Sequence, residues 1–289
     1  MIKTQYLKHI KVSDKDITII NATYQVYKIN IKNDCGYFKK CDDDEKEKEF
    51  LADINRKLAY EALAIEFGLE EYIPHSELCV LETETEKCIG CFQDPSKGID
   101  IWCLPSENRI KMITPSFHMA LTKMRLFDVI CHEADHSLNN YYPVSDQAGY
   151  FVSVSMFDNG GAGTFGKSPS ISYSTFCGCA PLFSEDGHFT FPYQDEGLIG
   201  AINSINAFRL LRILSPYLGF LSVYCTWLRI KKIRRIVKKD RASGLLKELA
   251  SNQWSNRTIQ EELSGKYGKT YLYSMVHDWG GDGKKPGER

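Results

Sequence analysis

The segments ICHEADHSLNNYYPV (130–144) and FVSVSMFDNG (151–160) contain the residues that most constrain the fold. Asp135 and Asn140 are five residues apart, and Asp158 follows Asp135 by 23 residues. The apolar run 151–157 predicts a strand, which would carry Asp158 to the same cleft as the other two. Phosphoryl transfer needs a carboxylate to orient the attacking hydroxyl and oxygen ligands for Mg²⁺, so the three side chains together indicate this chemistry.

The part of the chain before these segments has the pattern of a sheet with one long helix. Residues 17–31 are rich in Ile, Val, Thr and Tyr and predict strands, and a turn at 33–36 leads into a further strand. From Phe50 to Phe67 apolar residues recur at helical spacing, and Gly68 is expected to end this helix. The first part of the chain therefore predicts a mostly antiparallel sheet that carries one long helix.

The remainder of the chain has a helical pattern. Helical periodicity runs from Ser116 to His132 and through 197–240, and residues 243–277 predict two more helices. The Gly- and Ser-rich span that follows Asp158 predicts no regular structure. The change of character near residues 100–112 predicts an α+β protein of two lobes with a cleft between them. These are a sheet-rich N-lobe, residues 1–105, and a helical C-lobe, residues 106–289.

The composition excludes several classes of function. The chain has 289 residues, of which 43% are hydrophobic and 25% charged, as is typical of a globular protein. Its net charge of −1 gives no overall basic surface, so no nucleic-acid partner is expected. The N-terminus lacks the apolar core of a signal peptide, so we expect a cytoplasmic protein with free thiols. The stretch from Leu210 to Leu228 is interrupted by Arg212 and Pro216, which predicts a pair of core helices and no membrane span.

The sequence HEADH (132–136) supports a competing hypothesis, because it matches the H-E-x-x-H pattern of zinc hydrolases. On a helix, His132 and His136 would face one way and hold zinc, with Glu133 as the base that activates water. The third ligand stays open among Glu185, Glu196 and His188. A separate hypothesis is a structural zinc site built from two short cysteine pairs, Cys88 with Cys91 and Cys177 with Cys179.

The segments DHSLNNY (135–141) and FDNG (157–160) resemble the catalytic loop and the metal-binding motif of the HipA-like serine/threonine kinases. Those kinases typically read D-R-H-x-x-N-F and, further along the chain, F-D-x-G. The segment GYFK (36–39) is similar to the strand that carries the ATP lysine in that family. The segment 59–69 with Pro74 is similar to the helix and turn that follow. The resemblance covers residues 30–165 in patches.

The resemblance implies a two-lobed protein-kinase-like fold that binds ATP and Mg²⁺ between the lobes. It implies transfer of the γ-phosphoryl group to a Ser or Thr hydroxyl of a protein substrate or of the chain itself. Asp135 would be the catalytic aspartate, and Asn140 and Asp158 the magnesium ligands. Lys39 would contact the α- and β-phosphates of ATP. Lys40 remains its alternative, because neighbouring residues on a strand point to opposite faces.

Three features depart from the family pattern. The histidine follows Asp135 directly, and no glycine precedes Gly36 that could form a phosphate loop. Lys57 stands in the helix register where the family has the glutamate that holds the ATP lysine, and Glu61, one turn later, is the predicted substitute. These departures leave a catalytically weak pseudokinase or binding protein as an alternative to an active kinase.

Two further segments carry hypotheses of their own. The segment that begins with GAGTFG (161–166) predicts a flexible activation-type segment. Its conceivable phosphorylation sites are Ser168, Ser170, Ser172, Ser174 and Thr175. The basic run RIKKIRRIVKK (229–239) has apolar residues at helical spacing. It predicts a solvated helix face, with a docking surface for an acidic partner or a membrane as the alternative.

Overall fold

The computed structural model describes residues 7–20, 26–31, 34–40, 47–99, 106–133, 140–156, 163–171 and 179–277. Within these residues the chain is an α+β protein, which confirms the predicted fold class. The strands are β1 (Lys8–Lys11), β2 (Ile17–Ile20), β3 (Val26–Ile31), β4 (Asp34–Lys40), β5 (Ser76–Glu82), β6 (Lys87–Gln93), β7 (Tyr141–Ser145), β8 (Phe151–Met156), β9 (Tyr193–Asp195) and β10 (Lys247–Leu249). The helices are α1 (Glu47–Glu66), α2 (Ser106–Met112), α3 (Pro115–Cys131), α4 (Glu196–Ser204), α5 (Ala207–Leu214), α6 (Phe220–Ala242), α7 (Asn256–Leu263) and α8 (Tyr271–His277).

Six strands of the N-terminal part form one sheet in the order β1-β5-β6-β4-β3-β2. Neighbouring strands are antiparallel except for β1 and β5, which are parallel. The predicted hairpin is β3–β4, but the predicted turn at 33–36 is wrong for residues 34–36, because β4 begins at Asp34 and Gly36 pairs with Ile29. A side chain at Gly36 would collide with the ring of Phe92 in its present position, so glycine leaves room for that ring. Strand β1 was not predicted, because its single buried residue, Ile10, leaves no visible alternation.

Helix α1 connects the sheet to the helical part of the chain. Its first half packs Phe50 and Ile54 against Cys91 on one face of the sheet. Its second half buries Tyr60 and Leu63 in the main hydrophobic core, which also includes most of α3. The apolar spacing that predicts this helix therefore serves two packing surfaces, one on each part of the molecule.

Helix α3 is the central helix of the C-terminal part. Thr114 caps its first turn by accepting a hydrogen bond from the backbone N–H of Phe117 at 3.3 Å. Pro115 stands at the first helical position, where no N–H partner is required. The β7–β8 hairpin packs along α3, with the rings of Phe117 and Phe151 5.5 Å apart. The helix predicted from Ser116 is confirmed, but it ends one residue before His132.

The apolar stretch 210–228 forms two helices, α5 and α6, as predicted. Leu210 and Leu214 are fully buried, whereas Phe208 and Phe220 are 77% and 73% exposed. Over the residues that the structure describes, no single helix has both the length and the apolar character needed to cross a bilayer. Helices α4 and α5 have this length and apolar character only when they are taken together, and a bend of 95° separates them.

Strand β6 contradicts the cysteine-based zinc hypothesis. Cys88 and Cys91 are three residues apart on this strand, so their side chains point to opposite faces of the sheet. Cys88 packs on the side of Phe38, and Cys91 packs against Phe50 of α1. Two thiols on opposite faces cannot share one tetrahedral ion. Cys177 lies outside the described residues, as does the predicted boundary near residue 105.

Candidate active site

Three of the five predicted site residues, Lys39, Glu61 and Asn140, lie in the described part of the chain. Asp135 and Asp158 lie outside it. The elements that lead to the two aspartates are described, namely α3 before Asp135 and β8 before Asp158. The contacts of these elements define what the candidate site is built on.

The β7–β8 hairpin relates Asn140 to the chain that leads to Asp158. The two strands are antiparallel, and Tyr141 lies opposite Met156. Asn140 immediately precedes Tyr141, and the chain leaves β8 after Met156, two residues before Asp158 in sequence. Asn140 therefore lies at the end of the hairpin from which the chain continues towards Asp158.

Helix α3 ends at Cys131, immediately before the HEADH segment. His132 has left-handed backbone angles (φ 57°), and its N–H donates back to Asp128 O and Val129 O. The N–H of Glu133 also donates to Asp128 O, at 2.8 Å, which is the usual closure of a helix C-terminus. The i, i+4 face of a zinc hydrolase requires a helix that continues through the motif. The expectation that HEADH lies on a helix is therefore wrong for His132 and Glu133, and His136 lies outside the described residues.

Glu133 connects the end of α3 to the segment that follows Asp158. It is fully buried, and its carboxylate accepts a hydrogen bond from the Thr164 hydroxyl, which is also buried. The backbone N–H of Phe165 donates to Cys131 O at 2.6 Å. Phe165 itself has a left-handed φ of 53°, an uncommon conformation for a bulky residue. Glu133 thus has a structural role, and the chain before Asp135 is joined to the chain after Asp158.

His132 makes a second connection to this segment. Its Nδ1 lies 3.2 Å from Gly163 O. Because a carbonyl oxygen only accepts, Nδ1 must carry a hydrogen and donate this hydrogen bond. Burial lowers the pKa of His132, with the Gly163 carbonyl acting in the opposite direction. Gly166 packs so closely here that a Cβ would lie 3.0 Å from Nδ1 of His132.

Arg229 fixes the next residues of the same segment from helix α6. Its side chain is fully buried, and its Nε donates to Ile130 O at 2.8 Å. Its Nη1 donates to Ser168 O at 2.6 Å and to Gly166 O at 3.3 Å. Residues 163–171 are therefore held to α6 by a buried guanidinium, and they form no helix or strand, as predicted. The prediction that the basic run forms a solvated helix face is wrong for Arg229, whose side chain is buried.

A buried carboxylate, Asp128, holds the start of the β7–β8 hairpin. Its Oδ1 accepts a hydrogen bond from the Tyr60 hydroxyl at 2.7 Å, and its Oδ2 accepts one from the Tyr141 hydroxyl. The guanidinium of Arg125 lies 3.9 Å from the same carboxylate. Burial, reinforced by the charge of Asp128, raises the pKa of both tyrosines well above its ordinary value. Because Tyr141 follows Asn140 directly, this network fixes the backbone that carries Asn140.

The sheet register distinguishes Lys39 from Lys40. Lys39 lies opposite Cys91, so the two side chains share the face of the sheet that packs against α1. Burial raises the pKa of the Cys91 thiol, and the charges of Lys57 and Lys39 oppose this rise, as expected of nearby ammonium groups. Lys40 lies on the other face, where its Nζ contacts Glu86 at 2.6 Å. Lys39 is therefore the lysine on the α1 face.

Glu61 and Lys57 of α1 have contacts that differ from a simple lysine–glutamate pair. The two carboxylate oxygens of Glu61 contact Nδ1 of His75 at 2.6 Å and the backbone N–H of Ser76 at 2.9 Å. Lys57 donates to Oε1 of the buried Gln93 at 2.6 Å. Glu61 therefore joins α1 to the start of β5, and its pairing with Lys39 stays a prediction.

Sequence reasoning missed the buried charges that order the site, of which Asp128 and Arg229 are the main examples. A signal for them existed, because both stand among apolar residues at core positions of their helices. His188, one of the candidate zinc ligands, is bound to the buried Asp240. Across the described ranges, no group of three or more His, Cys, Asp or Glu side chains could hold a metal ion.

Comparison with solved structures gives likenesses at 10% sequence identity. No protein-family model matches the chain, and no curated protein matches it. Among solved structures, it is similar to the Helicobacter pylori proinflammatory kinase CtkA, with 10% identity and a TM-score of 0.40 over 88% of this chain and 99% of that chain. It is also similar to HipA from the Shewanella oneidensis MR-1 complex of HipA, HipB and operator DNA. That likeness has 10% identity and a TM-score of 0.27, and it covers 89% of this chain and 57% of the other.

Proposed function

We propose that the chain is a phosphotransferase of the HipA-like kinase type, which uses ATP and Mg²⁺ to phosphorylate a Ser or Thr hydroxyl of a protein. The observation that carries the proposal is the pairing of Tyr141 with Met156. It brings Asn140 to the hairpin end from which the chain runs on to Asp158. The contacts of Glu133 with Thr164 and of Cys131 with Phe165 supply a second junction between the same two segments.

The donor set fits the group that the reaction needs. Amide and carboxylate oxygens are the ligands that Mg²⁺ prefers, so Asn140 and Asp158 would hold it. When bound, Mg²⁺ would offset the negative charge of the phosphates. Lys39 would contact the α- and β-phosphates from the α1 face of the sheet. The fixation of Tyr141 by Asp128 supports a preorganised Asn140.

In the proposed reaction, Asp135 orients the attacking hydroxyl and accepts its proton. The Ser or Thr oxygen then forms a bond to the γ-phosphorus, while the bond between that phosphorus and the β,γ-bridging oxygen breaks and ADP leaves. Positioning and electrostatics supply most of the rate enhancement in this chemistry, because little covalent work is required of the protein. The acceptor hydroxyl can belong to a separate protein or to a second site on the chain itself.

The test is phosphoryl transfer from ATP labelled in the γ position. We expect Mg²⁺-dependent label on the chain or on an added Ser/Thr-containing protein, located by phosphoamino-acid analysis. Asp135→Ala and Asp158→Ala should abolish the label. Asp186→Ala, which removes an exposed carboxylate outside the site, is the matched control and should leave it unchanged. Equal labelling of wild type and Asp158→Ala would refute the assignment.

A nucleotide-binding protein without turnover is the second candidate. The contacts of Glu61 with His75 and Ser76 favour it, because they direct the predicted lysine partner towards β5. Such a protein would be stabilised by Mg-ATP in a thermal-shift titration and would transfer no label. The active enzyme would show both properties.

A further inference from the structure

Helix α6 has an outer stripe whose chemistry changes along the helix. The residues of this stripe share high exposure and are Phe220, Leu221, Tyr224, Lys231, Arg235 and Lys238. At 3.6 residues per turn they fall within a sector of about 100°. The opposite sector is buried against the core and includes Val223, Ile230, Ile233 and Val237. The stripe therefore lies on the outside of the molecule, apolar at its start and basic further on.

The apolar end of the stripe is a cluster of adjacent side chains. Phe220 is 73% exposed, Leu221 49% and Tyr224 47%. The rings of Phe220 and Tyr224 are stacked, with centroids 6.2 Å apart and planes 11° from parallel. Exposed apolar residues that stand singly are ordinary, whereas a contiguous group such as this one is a candidate interaction surface.

The basic end of the stripe has no acidic counterpart on its own helix. Helix α6 contains eight Lys and Arg residues and one acidic residue, Asp240. Asp240 is fully buried and is bound by His188 and by the backbone N–H of Phe189. Within the described ranges, no ion pair involves Lys231, Arg235 or Lys238.

The remaining cations of the helix are held by the protein itself, which separates them from the stripe. Arg229 and Lys232 donate to carbonyls of the segment 163–171, and Arg234 donates to Ile202 O at 2.8 Å. Lys239 donates to Asp186 O at 3.0 Å, and Arg241 forms an ion pair with Glu248 at 2.6 Å. The side chains that point outwards are therefore a distinct set, available to a negatively charged partner.

We propose that the outer stripe of α6 binds the surface of an anionic membrane. Phe220, Leu221 and Tyr224 would enter the interfacial region, where aromatic side chains are favoured, and the three cations would contact lipid phosphates and carboxylates. A fluid interface accepts a convex ridge without a matching groove, whereas an acidic protein would need a groove of complementary shape. From Phe220 to Lys238 the helix rises about 27 Å, so both ends can reach one surface when α6 lies parallel to it.

The proposal is independent of nucleotide binding and phosphoryl transfer. The net charge of the whole chain is −1, so attraction to lipid would come from the local field of the stripe. That field is screened within about 10 Å at 0.1 M salt, and binding should weaken as salt is raised.

The test is sedimentation of the full chain with phosphatidylcholine vesicles that contain or lack phosphatidylserine. We expect binding only to the vesicles with phosphatidylserine. The triple variant K231Q/R235Q/K238Q should lower the partition coefficient by about 100-fold, since each cation near an anionic surface contributes about fivefold. The matched control K15Q/K48Q/K111Q makes the same charge change at exposed lysines on other elements. Its partition coefficient should fall much less.

A second measurement reports insertion of the apolar end. In the variant Phe220→Trp, the tryptophan emission should shift to shorter wavelength when phosphatidylserine vesicles are added. Circular dichroism checks that each variant is folded. Equal binding by the stripe and control variants, or an unshifted emission, would overturn the proposal. So would retention on a polyglutamate matrix through the same three cations without vesicle binding, because the occupant would then be an acidic protein. Self-association through the stripe, seen as a dimer that Phe220→Ser dissolves and that binds no vesicles, would overturn it as well.

Discussion

The hydroxyl of Thr164 donates a hydrogen bond to the carboxylate of Glu133, and both side chains are buried. This contact joins the chain before Asp135 to the chain after Asp158. A residue that the H-E-x-x-H pattern would make a catalytic base is thus a buried anchor. Two further contacts support the same junction: the N–H of Phe165 donates to Cys131 O, and Arg229 bridges Ile130 O and Ser168 O.

Replacement of Glu133 measures the strength of this anchor. Glu133→Ala leaves the buried Thr164 hydroxyl without its acceptor, and we expect a loss of about 1–3 kcal/mol in the free energy of unfolding. Glu133→Gln keeps an acceptor oxygen and should lose less. Urea denaturation of Glu133→Ala, Thr164→Val and the double variant gives the coupling energy, which we expect at about 0.5–3 kcal/mol. Strictly additive losses would show that the two side chains do not interact.

The buried hydrogen bond from Tyr141 to Asp128 should affect both stability and the candidate site. Tyr141→Phe removes a donor to a buried carboxylate, which is expected to cost about 1.5–3 kcal/mol. Because Tyr141 follows Asn140, the variant should also need more Mg²⁺ for half-maximal phosphoryl transfer. Tyr150→Phe, in the turn region of the same hairpin and 50% exposed, is the control. A Mg²⁺ requirement that stays the same in a destabilised Tyr141→Phe would limit Tyr141 to a structural role.

The two neighbouring lysines of β4 should respond differently to replacement. Lys39→Met should remove most of the stabilisation by Mg-ATP, which amounts to about 2.7 kcal/mol when the nucleotide is a hundredfold above its Kd. Lys40→Met breaks the contact with Glu86 on the other face and should retain that stabilisation. Its own cost should be about 1–2 kcal/mol, because the Lys40 side chain is only 13% exposed and its Nζ also lies 5.3 Å over the ring of Tyr27. Thermal-shift titrations of both variants with Mg-ATP are the measurement, and the reverse pattern would make Lys40 the nucleotide ligand.

Stability should depend on pH through His132. Burial lowers the pKa of His132 in the folded chain, so the unfolded chain binds a proton more readily. The neutral ring therefore contributes its full share to the free energy of unfolding above the unfolded pKa of about 6.5. This contribution is lost as the pH falls below that value. The effect should stay below about 1 kcal/mol, because part of the ring is exposed to solvent.

The measurement is urea denaturation on both sides of this pH range. His132→Asn tolerates the left-handed backbone and should lose less stability on acidification than wild type. His277→Asn changes an exposed histidine at the end of α8 and should behave as wild type does. A steeper acid loss in His132→Asn than in wild type would contradict the assigned direction.

Local patterns determined most of the secondary structure. The spacing of Phe50, Ile54 and Leu63 predicts α1, because residues three or four apart share a face of a helix. Alternation predicts β3, and the turn before Gly36 predicts the hairpin. The short strands β1, β9 and β10 escaped prediction, because three or four residues carry too little periodicity.

What the sequence by itself determined is therefore the α+β class, the long helices, and the spacing of Asp135, Asn140 and Asp158. Only the tertiary structure decided that Lys39 faces α1, that Glu133 is a buried anchor, and that Arg229 holds a segment about 60 residues away in the chain. The physical reason is that the role of a polar side chain depends on the group with which it forms a hydrogen bond or ion pair. Periodicity fixes the direction in which a side chain points, whereas the partner is supplied by distant parts of the chain that meet only in the folded core.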